Sequence, residues 1–300
     1  MPLIKLLLQN NCFRIYLIGG FIRDTIVGTN PRDVDYKVIV NGTNFSKKMD
    51  QVERELTIQK VHYQRSNEKD MVILRTKMKE RNGKQTLSSD VAFVPNKKRR
   101  IEDLIGADYT VDAFNIQLPS VRGFSLFTAQ EDLSRKIIRL SNHNANLRNK
   151  PHLLFRAIFL CSKMPNFIIE RNTLKHIIEN SRYAEISLEQ MTTTTDKIIG
   201  NFLQNQIFCG WLSNSKKYIS LLEKTGLLYE IVTYTAKYLN IPNMRAVQSR
   251  ALNVSNINKS TNFKLFWKTA LRYYGYDNSK STIETILKLY HLDKLALTLR

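Results

Sequence analysis

Apolar and polar positions alternate along several short runs in the first half of the chain: Arg14–Ile18, Asp35–Val40, Met71–Lys77, Ser89–Val94 and Ala113–Leu118. A period of two, rich in β-branched and aromatic residues, predicts strands. Between them Ile22–Val27 and Phe45–Leu56 carry helical spacing. Gly83 and its polar neighbours read as a turn between two strands. The stretch from Pro95 to Arg100 reads as a polar, basic connector. Near residue 145 the pattern becomes helical, over Pro151–Met164, Arg171–Asn180, Thr195–Leu203, Lys216–Glu223 and Thr282–Tyr290. The expectation is an α+β chain: an α/β domain over residues 1–144 and an all-helical region over residues 145–300. No internal repeat interrupts it, and Thr192–Thr195 is the only homopolymer run of note.

Composition adds the solvent and the partner. The chain has 300 residues and is 43% hydrophobic, which is enough for a packed core and argues against wholesale disorder. No apolar run approaches the ~18–20 residues of a membrane span, so no membrane partner is expected. Leu3–Leu8 is apolar, but Gln9, Asn10 and Asn11 end it without a small-residue cleavage site. It reads as a short amphipathic first helix rather than a secretory signal. Cys12, Cys161 and Cys209 are few, odd in number and far apart. That argues against a disulfide framework or a cysteine zinc site, and for a reducing, cytoplasmic setting. The five histidines show no metal-ligand spacing. Lys and Arg total 46 against 26 Asp and Glu, a formal net charge of +20. Such an excess attracts polyanions, and nucleic acid is the partner it favours.

The chemistry concentrates between Tyr16 and Val38. An apolar strand runs into Gly19-Gly20, and a helix then opens with Arg23-Asp24 in its first turns. Two glycines at a strand-to-helix turn let backbone N–H groups approach a phosphate, and the helix N-terminus adds unpaired donors. Arg23 has the fork to take a phosphate oxygen bidentately, while Asp24 suits holding that loop or that arginine in place. A bare Gly-Gly is usually only a tight turn. Asp33 and Asp35 change the balance, nine and eleven residues after Asp24. Carboxylates at i and i+2 of a strand share a face. Their mutual repulsion is relieved by a divalent cation, and Mg²⁺ takes one or two carboxylates plus phosphate oxygens and water. Two such ions can clamp the attacking and leaving oxygens of a phosphoryl displacement.

On Gly19, Gly20, Arg23, Asp24, Asp33 and Asp35, with Pro31 before the acidic pair, the chain resembles the class II nucleotidyltransferases of the polymerase-β superfamily. These are the CCA-adding tRNA nucleotidyltransferases and bacterial poly(A) polymerases. The resemblance implies a polymerase-β-like α/β head followed by a helical neck and body. It also implies an NTP cradled by Gly19, Gly20 and Arg23, and a two-metal Mg²⁺ site on Asp33 and Asp35. Asp90, in Ser89-Asp90-Val-Ala-Phe, fits the third acidic residue, either on the metal or accepting the proton of an RNA 3′-hydroxyl. Asp108, Thr110 and Ala113 fit the family's Arg-Arg-Asp-Phe-Thr-x-Asn-Ala segment, which implies sugar contacts from Asp108 and Asp112. The run from Glu131 and Asp132 to Arg139 resembles the segment leading out of the head. Leu153–Phe159, with Arg156, resembles the first neck helix, and Glu189 falls in the base-reading motif, so both join the nucleotide-binding set.

The departures from that pattern bear on specificity. Gly106 and Ala107 stand where the family has paired arginines, and Asp112 stands for an asparagine, so an amide becomes an acceptor-only carboxylate. The acidic lead into the neck is absent from Arg148–Leu153. Gln190 and Thr192 occupy the approximate positions of base-reading arginines, whose paired donors threonine does not supply. The metal chemistry reads as intact and the sugar and base reading as altered.

Basic clusters complete the picture. Lys97, Lys98, Arg99 and Arg100 follow the Asp90 strand, and Lys216 and Lys217 lead a basic set in the helical half. Tyr229, Tyr234, Tyr238, Trp267 and Tyr274 are interleaved with that set. Aromatics among cations suit base stacking along a phosphate track, although the same residues also suit helix packing. The expected activity is template-independent transfer of a nucleoside monophosphate, favouring AMP from ATP, to an RNA 3′ end with release of pyrophosphate, as in poly(A) polymerases. CCA addition to tRNA is the first alternative, and a non-catalytic RNA-binding relative or subunit the second. Because the sequence ends at Arg300, a partner subunit for RNA selection is also expected.

Overall fold

The computed structural model describes residues 2–31, 33–68, 71–79, 86–96, 107–142, 147–194, 207, 213–242, 263–274 and 276–290. Gly83, Lys97, Lys98, Arg99, Arg100 and the expected helix Thr195–Leu203 lie outside the described residues. The chain divides into two compact units, Met1–Ser141 and Asn142–Arg300.

The first unit is built on a seven-stranded sheet. Its strands are β1 (Phe13–Ile18), β2 (Asp35–Val40), β3 (Tyr63–Glu68), β4 (Met71–Lys79), β5 (Thr86–Pro95), β6 (Phe114–Leu118) and β7 (Arg122–Ser125). Their order is β3-β4-β5-β2-β1-β6-β7. The β2–β5 pair is parallel and the other five pairs are antiparallel. Three helices belong to the first half of this unit: α1 (Pro2–Leu8), α2 (Gly20–Val27) and α3 (Phe45–Ile58).

The period-two pattern sorts the strands into faces. Ile15, Val38, Val40, Val72, Leu74, Val91 and Phe93 point to one face. They are buried there with Leu3, Ile4 and Leu7 of α1 and Met49, Val52 and Leu56 of α3. Leu3, Ile4 and Leu7 recur at helical spacing, which is why so short a first helix is held. Tyr16, Ile39 and Val94 point the other way and pack with Ala113, Leu126 and Ala129. Asp35, two residues before Lys37 and four before Ile39, belongs by alternation to this second face.

The strand expected over Ala113–Leu118 begins one residue later. Thr110–Asp112 forms a 3₁₀ turn ahead of it. A short helix, Ala129–Ser134, follows β7.

In the second unit helices cover His152–Lys163, Arg171–Glu179, Ala184–Thr193, Leu227–Tyr238, Phe263–Tyr273 and Lys280–Leu289, and residues 213–224 are also helical. Two starts are capped from the sequence: Glu170 accepts from the Thr173 N–H (2.7 Å) and Ser279 from the Thr282 N–H (3.3 Å). Leu153, Leu154, Phe155, Ala157, Ile158, Leu160 and Cys161 are all buried, so the first of these helices is apolar on most of its circumference.

Candidate active site

The pairing of β1 with β2 ends at Ile18 opposite Asp35. The turn that leaves β1 therefore starts beside the first residue of β2. Gly19 adopts φ 70°, ψ −131°, a region open only to glycine. Its N–H donates to the Phe114 carbonyl (3.1 Å), and its carbonyl accepts from the Ile22 and Arg23 N–H groups (3.2 and 3.3 Å). The turn is thus fixed to β6 on one side and opens α2 on the other. A Cβ built on Gly20 would lie 3.3 Å from an Arg23 guanidinium nitrogen.

Asp35 opens β2 and is half-buried, whereas Asp33 precedes the strand and is exposed. The expected i, i+2 pair therefore has its first member just outside the regular strand. On the other side of β2, Tyr36 pairs with Val91 in the parallel register. One step back along both strands, Asp35 and Asp90 lie at matching positions, with adjacent strands about 4.8 Å apart. Asp35 and Asp90 thus sit on neighbouring strands where β2 begins, and Asp33 lies two residues before Asp35 along the chain.

Asp90 is engaged. It faces Arg75 across the β4–β5 pair, and the Nε/Nη2 edge of that guanidinium donates to its carboxylate, Nε to Oδ1 at 2.6 Å and Nη2 to Oδ2. Nothing in the one-dimensional sequence singled out Arg75; only the register brings it to the site.

Arg23 is placed differently from the phosphate-binding expectation. It is 4% exposed. Its Nε and Nη2 donate to Asp24 Oδ1 (2.8 and 2.6 Å), and its Nη1 donates to Asp112 Oδ1. The whole fork faces two buried carboxylates rather than an open cleft. Asp24 holds the arginine, as its position suggested. Asp112 reaches the same guanidinium from the end of the 3₁₀ turn, 89 residues later in the chain.

The segment carrying Asp108 and Asp112 is anchored by a second buried acid. Asp132 is fully buried and accepts from Thr110 Oγ1 (2.7 Å), Thr128 Oγ1 (2.6 Å) and Arg139 Nε (3.0 Å) and Nη2 (3.0 Å). Burial pushes its carboxyl up, but these hydrogen bonds outweigh that and leave it below the usual carboxylate range. Backbone bonds run alongside, from the Thr110 N–H to the Arg139 carbonyl (2.9 Å) and from the Ser141 N–H to the Asp108 carbonyl (3.0 Å). Asp132 and Arg139 stand in the motif leading out of the head, and the structure gives them this tying role.

The donor set suits a hard cation. Asp33 and Asp35 offer carboxylate oxygens, and Mg²⁺ completes its shell with phosphate oxygens and water. Among the described residues no group of three or more His, Cys, Asp and Glu is gathered as a metal cage.

In the second unit Arg156 is half-buried on the helix His152–Lys163. Glu189 is exposed on Ala184–Thr193. Thr192 donates or accepts at the Tyr234 hydroxyl (2.6 Å), so the position expected to read a base is tied to a neighbouring helix. Lys216 is exposed, as an RNA contact requires. Lys217 is half-buried and donates to the Phe167 carbonyl (2.6 Å), which also accepts from the Cys161 thiol (3.0 Å). The aromatic set splits: Trp267 is fully buried and stacks on Tyr290 (5.7 Å), whereas Tyr229 is 53% exposed with its ring edge against Tyr274.

Residues 15–139 match the family described as the poly A polymerase head domain. The CCA-adding enzyme of Streptococcus mutans serotype c is 23% identical over 288 residues, covering 93% of this chain and 68% of the relative. A Thermotoga maritima CCA-adding enzyme complexed with tRNA superposes with a TM-score of 0.58 at 17% identity, covering 93% of this chain and 62% of that one. A CCA-adding enzyme complexed with ATP gives 0.59 at 18% identity, covering all of this chain and 66% of that one. The chain thus spans about two thirds of the length of these relatives, and the two superpositions establish a shared fold. The head-domain match falls on the turn, the acidic strand and the Asp132–Arg139 segment described above, so residues 15–139 carry a poly A polymerase head domain, and the chain is similar to CCA-adding enzymes over most of its length.

Proposed function

We propose that this chain adds nucleotides to an RNA 3′ end without a template, with residues 1–144 as the catalytic head and 145–300 as the neck and body. The observation that carries the reading is the pairing of Ile18 with Asp35, which sets the Gly19–Gly20 turn beside the acidic pair. The turn and the N-terminus of α2 present backbone N–H groups to the triphosphate. Asp33 and Asp35 would hold Mg²⁺, which when bound would offset the charge of the phosphates. The 3′-oxygen bonds to the α-phosphorus, the bond to the bridging oxygen breaks, and pyrophosphate leaves. The hydroxyl proton passes to solvent or to Asp90. Asp90 is kept in place for this by Arg75. The protein's contribution is mainly alignment and charge stabilisation.

CCA addition to tRNA is the better-supported form of this activity, because the curated relatives are CCA-adding enzymes. The AMP-favouring, poly(A)-type expectation does not gain that support. It keeps one observation in its favour: Thr192 is tied to Tyr234 where the family pattern has an arginine. RNA selection by a partner subunit has no support in these features. No helix among the described residues is long and apolar enough to cross a membrane.

The test is extension of a tRNA transcript lacking its terminal CCA, with CTP and ATP supplied singly and together. CCA addition predicts growth that stops after C, C and A and needs both nucleotides. Long ATP-only ladders on any RNA would restore the poly(A) reading. RNA binding without extension would leave the non-catalytic relative.

A further inference from the structure

The buried cluster behind the Gly19–Gly20 turn carries an inference that rests on reading that turn as a polyphosphate cradle. Arg23, Asp24 and Asp112 are 4%, 2% and 8% exposed. Arg23 Nε and Nη2 donate to Asp24 and Nη1 donates to Asp112, so the guanidinium is fixed from both ends. The cluster sits against the turn itself. An Arg23 nitrogen lies 3.3 Å from where a Gly20 Cβ would be, and the Asp112 carbonyl lies 3.8 Å from where a Gly19 Cβ would be. The Gly19 N–H is bonded to Phe114, two residues beyond Asp112. The Asp112 carboxylate reaches the turn through Arg23: it bonds Nη1 of the buried guanidinium whose other nitrogen stands against Gly20, so its charge acts there through protein rather than through water. Position 112 is also where the chain departs from the asparagine of the family pattern.

We infer that Asp112 is a positioning residue that holds the Arg23 guanidinium behind the Gly19–Gly20 turn and, through its charge, weakens the grip of that turn on a polyphosphate. Charge-assisted hydrogen bonds to Arg23 are stronger than those an amide oxygen would accept, so the arginine stays turned inward. The carboxylate also adds one negative charge close to the place where phosphates dock. An asparagine at this position keeps an acceptor for Nη1 and removes that charge.

The test is calorimetric titration of inorganic pyrophosphate, ATP and adenosine into wild type and Asp112→Asn, in magnesium-containing buffer without RNA. The expected result is pyrophosphate and ATP binding tighter by about tenfold in the variant, with adenosine unchanged. In extension assays the same variant is expected to lower KM for the nucleotide and leave KM for RNA unchanged. A role in folding alone would shift the melting temperature and leave the difference between pyrophosphate and adenosine where it was. Where Asp112→Asn does not fold, Asp112→Ser removes the same charge with a smaller side chain and carries the same expectation. Wild type binding both phosphates, with the folded variant binding them no tighter, overturns this inference alone. Wild type binding neither overturns the cradle reading along with it.

Discussion

Asp90 on β5 receives two hydrogen bonds from the guanidinium of Arg75, its cross-strand neighbour on β4. Both side chains are about one-third exposed. A pair so situated contributes about 1 kcal/mol to stability. Its consequence for chemistry is larger if Asp90 must face Asp35. Arg75→Met is therefore expected to leave the melting temperature nearly unchanged while lowering kcat by about tenfold or more. Equal losses of stability and activity would reduce Arg75 to a strand pair without a part in the site.

Gly19 tests the turn itself. Its φ of 70° with ψ −131° lies outside what an L side chain adopts. Gly19→Ala is expected to cost about 1–3 kcal/mol of stability and to raise KM for the nucleotide as the N–H groups rotate away. Gly28, also at positive φ, has no heavy atom within 4 Å of an added Cβ. Its alanine variant is expected to lose some stability with no change in nucleotide KM, which separates strain from phosphate binding.

The buried Asp132 makes the head acid-sensitive. Burial raises its carboxyl, but bonds from Arg139, Thr128 and Thr110 leave it lower in the folded chain than in the unfolded one. Protons then bind the unfolded chain more readily as the pH falls below about 4. Stability from this group is complete above the unfolded value and is lost as the pH drops through the folded one. Asp132→Asn is expected to cost about 2–4 kcal/mol at neutral pH and to flatten the acid limb of a stability–pH curve. A variant with the wild-type acid limb would show that other carboxylates govern it.

The aromatic residues of the helical unit divide by burial. Trp267→Ala is expected to destabilise by about 3–5 kcal/mol, because the ring is fully buried against Tyr290. Tyr229→Ala is expected to leave stability unchanged and to weaken RNA binding by about 1–3 kcal/mol if its exposed ring stacks on a base. Unfolding melts and binding isotherms on the two variants decide which aromatics pack and which bind.

The strands of the sheet were legible where one face is buried. Asp35–Val40 follows directly from alternation, and Met71–Lys79 and Thr86–Pro95 extend the expected runs at their polar ends. Tyr63–Glu68 is polar along most of its length and lies at the edge of the sheet, so pairing with β4 rather than pattern makes it a strand. Leu227–Tyr238 is rich in β-branched and aromatic residues, and burial of Leu228, Ile231, Val232 and Thr235 holds it helical. At the site, the glycines and acids were legible because each residue type suits one chemistry. The partners were not. Asp112 meets Arg23 from 89 residues away, and Arg75 meets Asp90 through strand register, and neither relation leaves a local trace in the sequence. The same lack of local trace hides Lys217, a basic residue whose ammonium serves a carbonyl of its own unit.

Asp33 and Asp35 are proposed to carry metal-dependent nucleotidyl transfer at the Gly19–Gly20 turn. The direct measurement is pyrophosphate release during single-nucleotide extension of an RNA 3′ end, with Mg²⁺, by wild type and by Asp33→Ala/Asp35→Ala. Wild type is expected to release pyrophosphate only with the ion present, and the double variant to lose at least about a thousandfold while still melting as wild type does. Release at the wild-type rate by the folded double variant would contradict it.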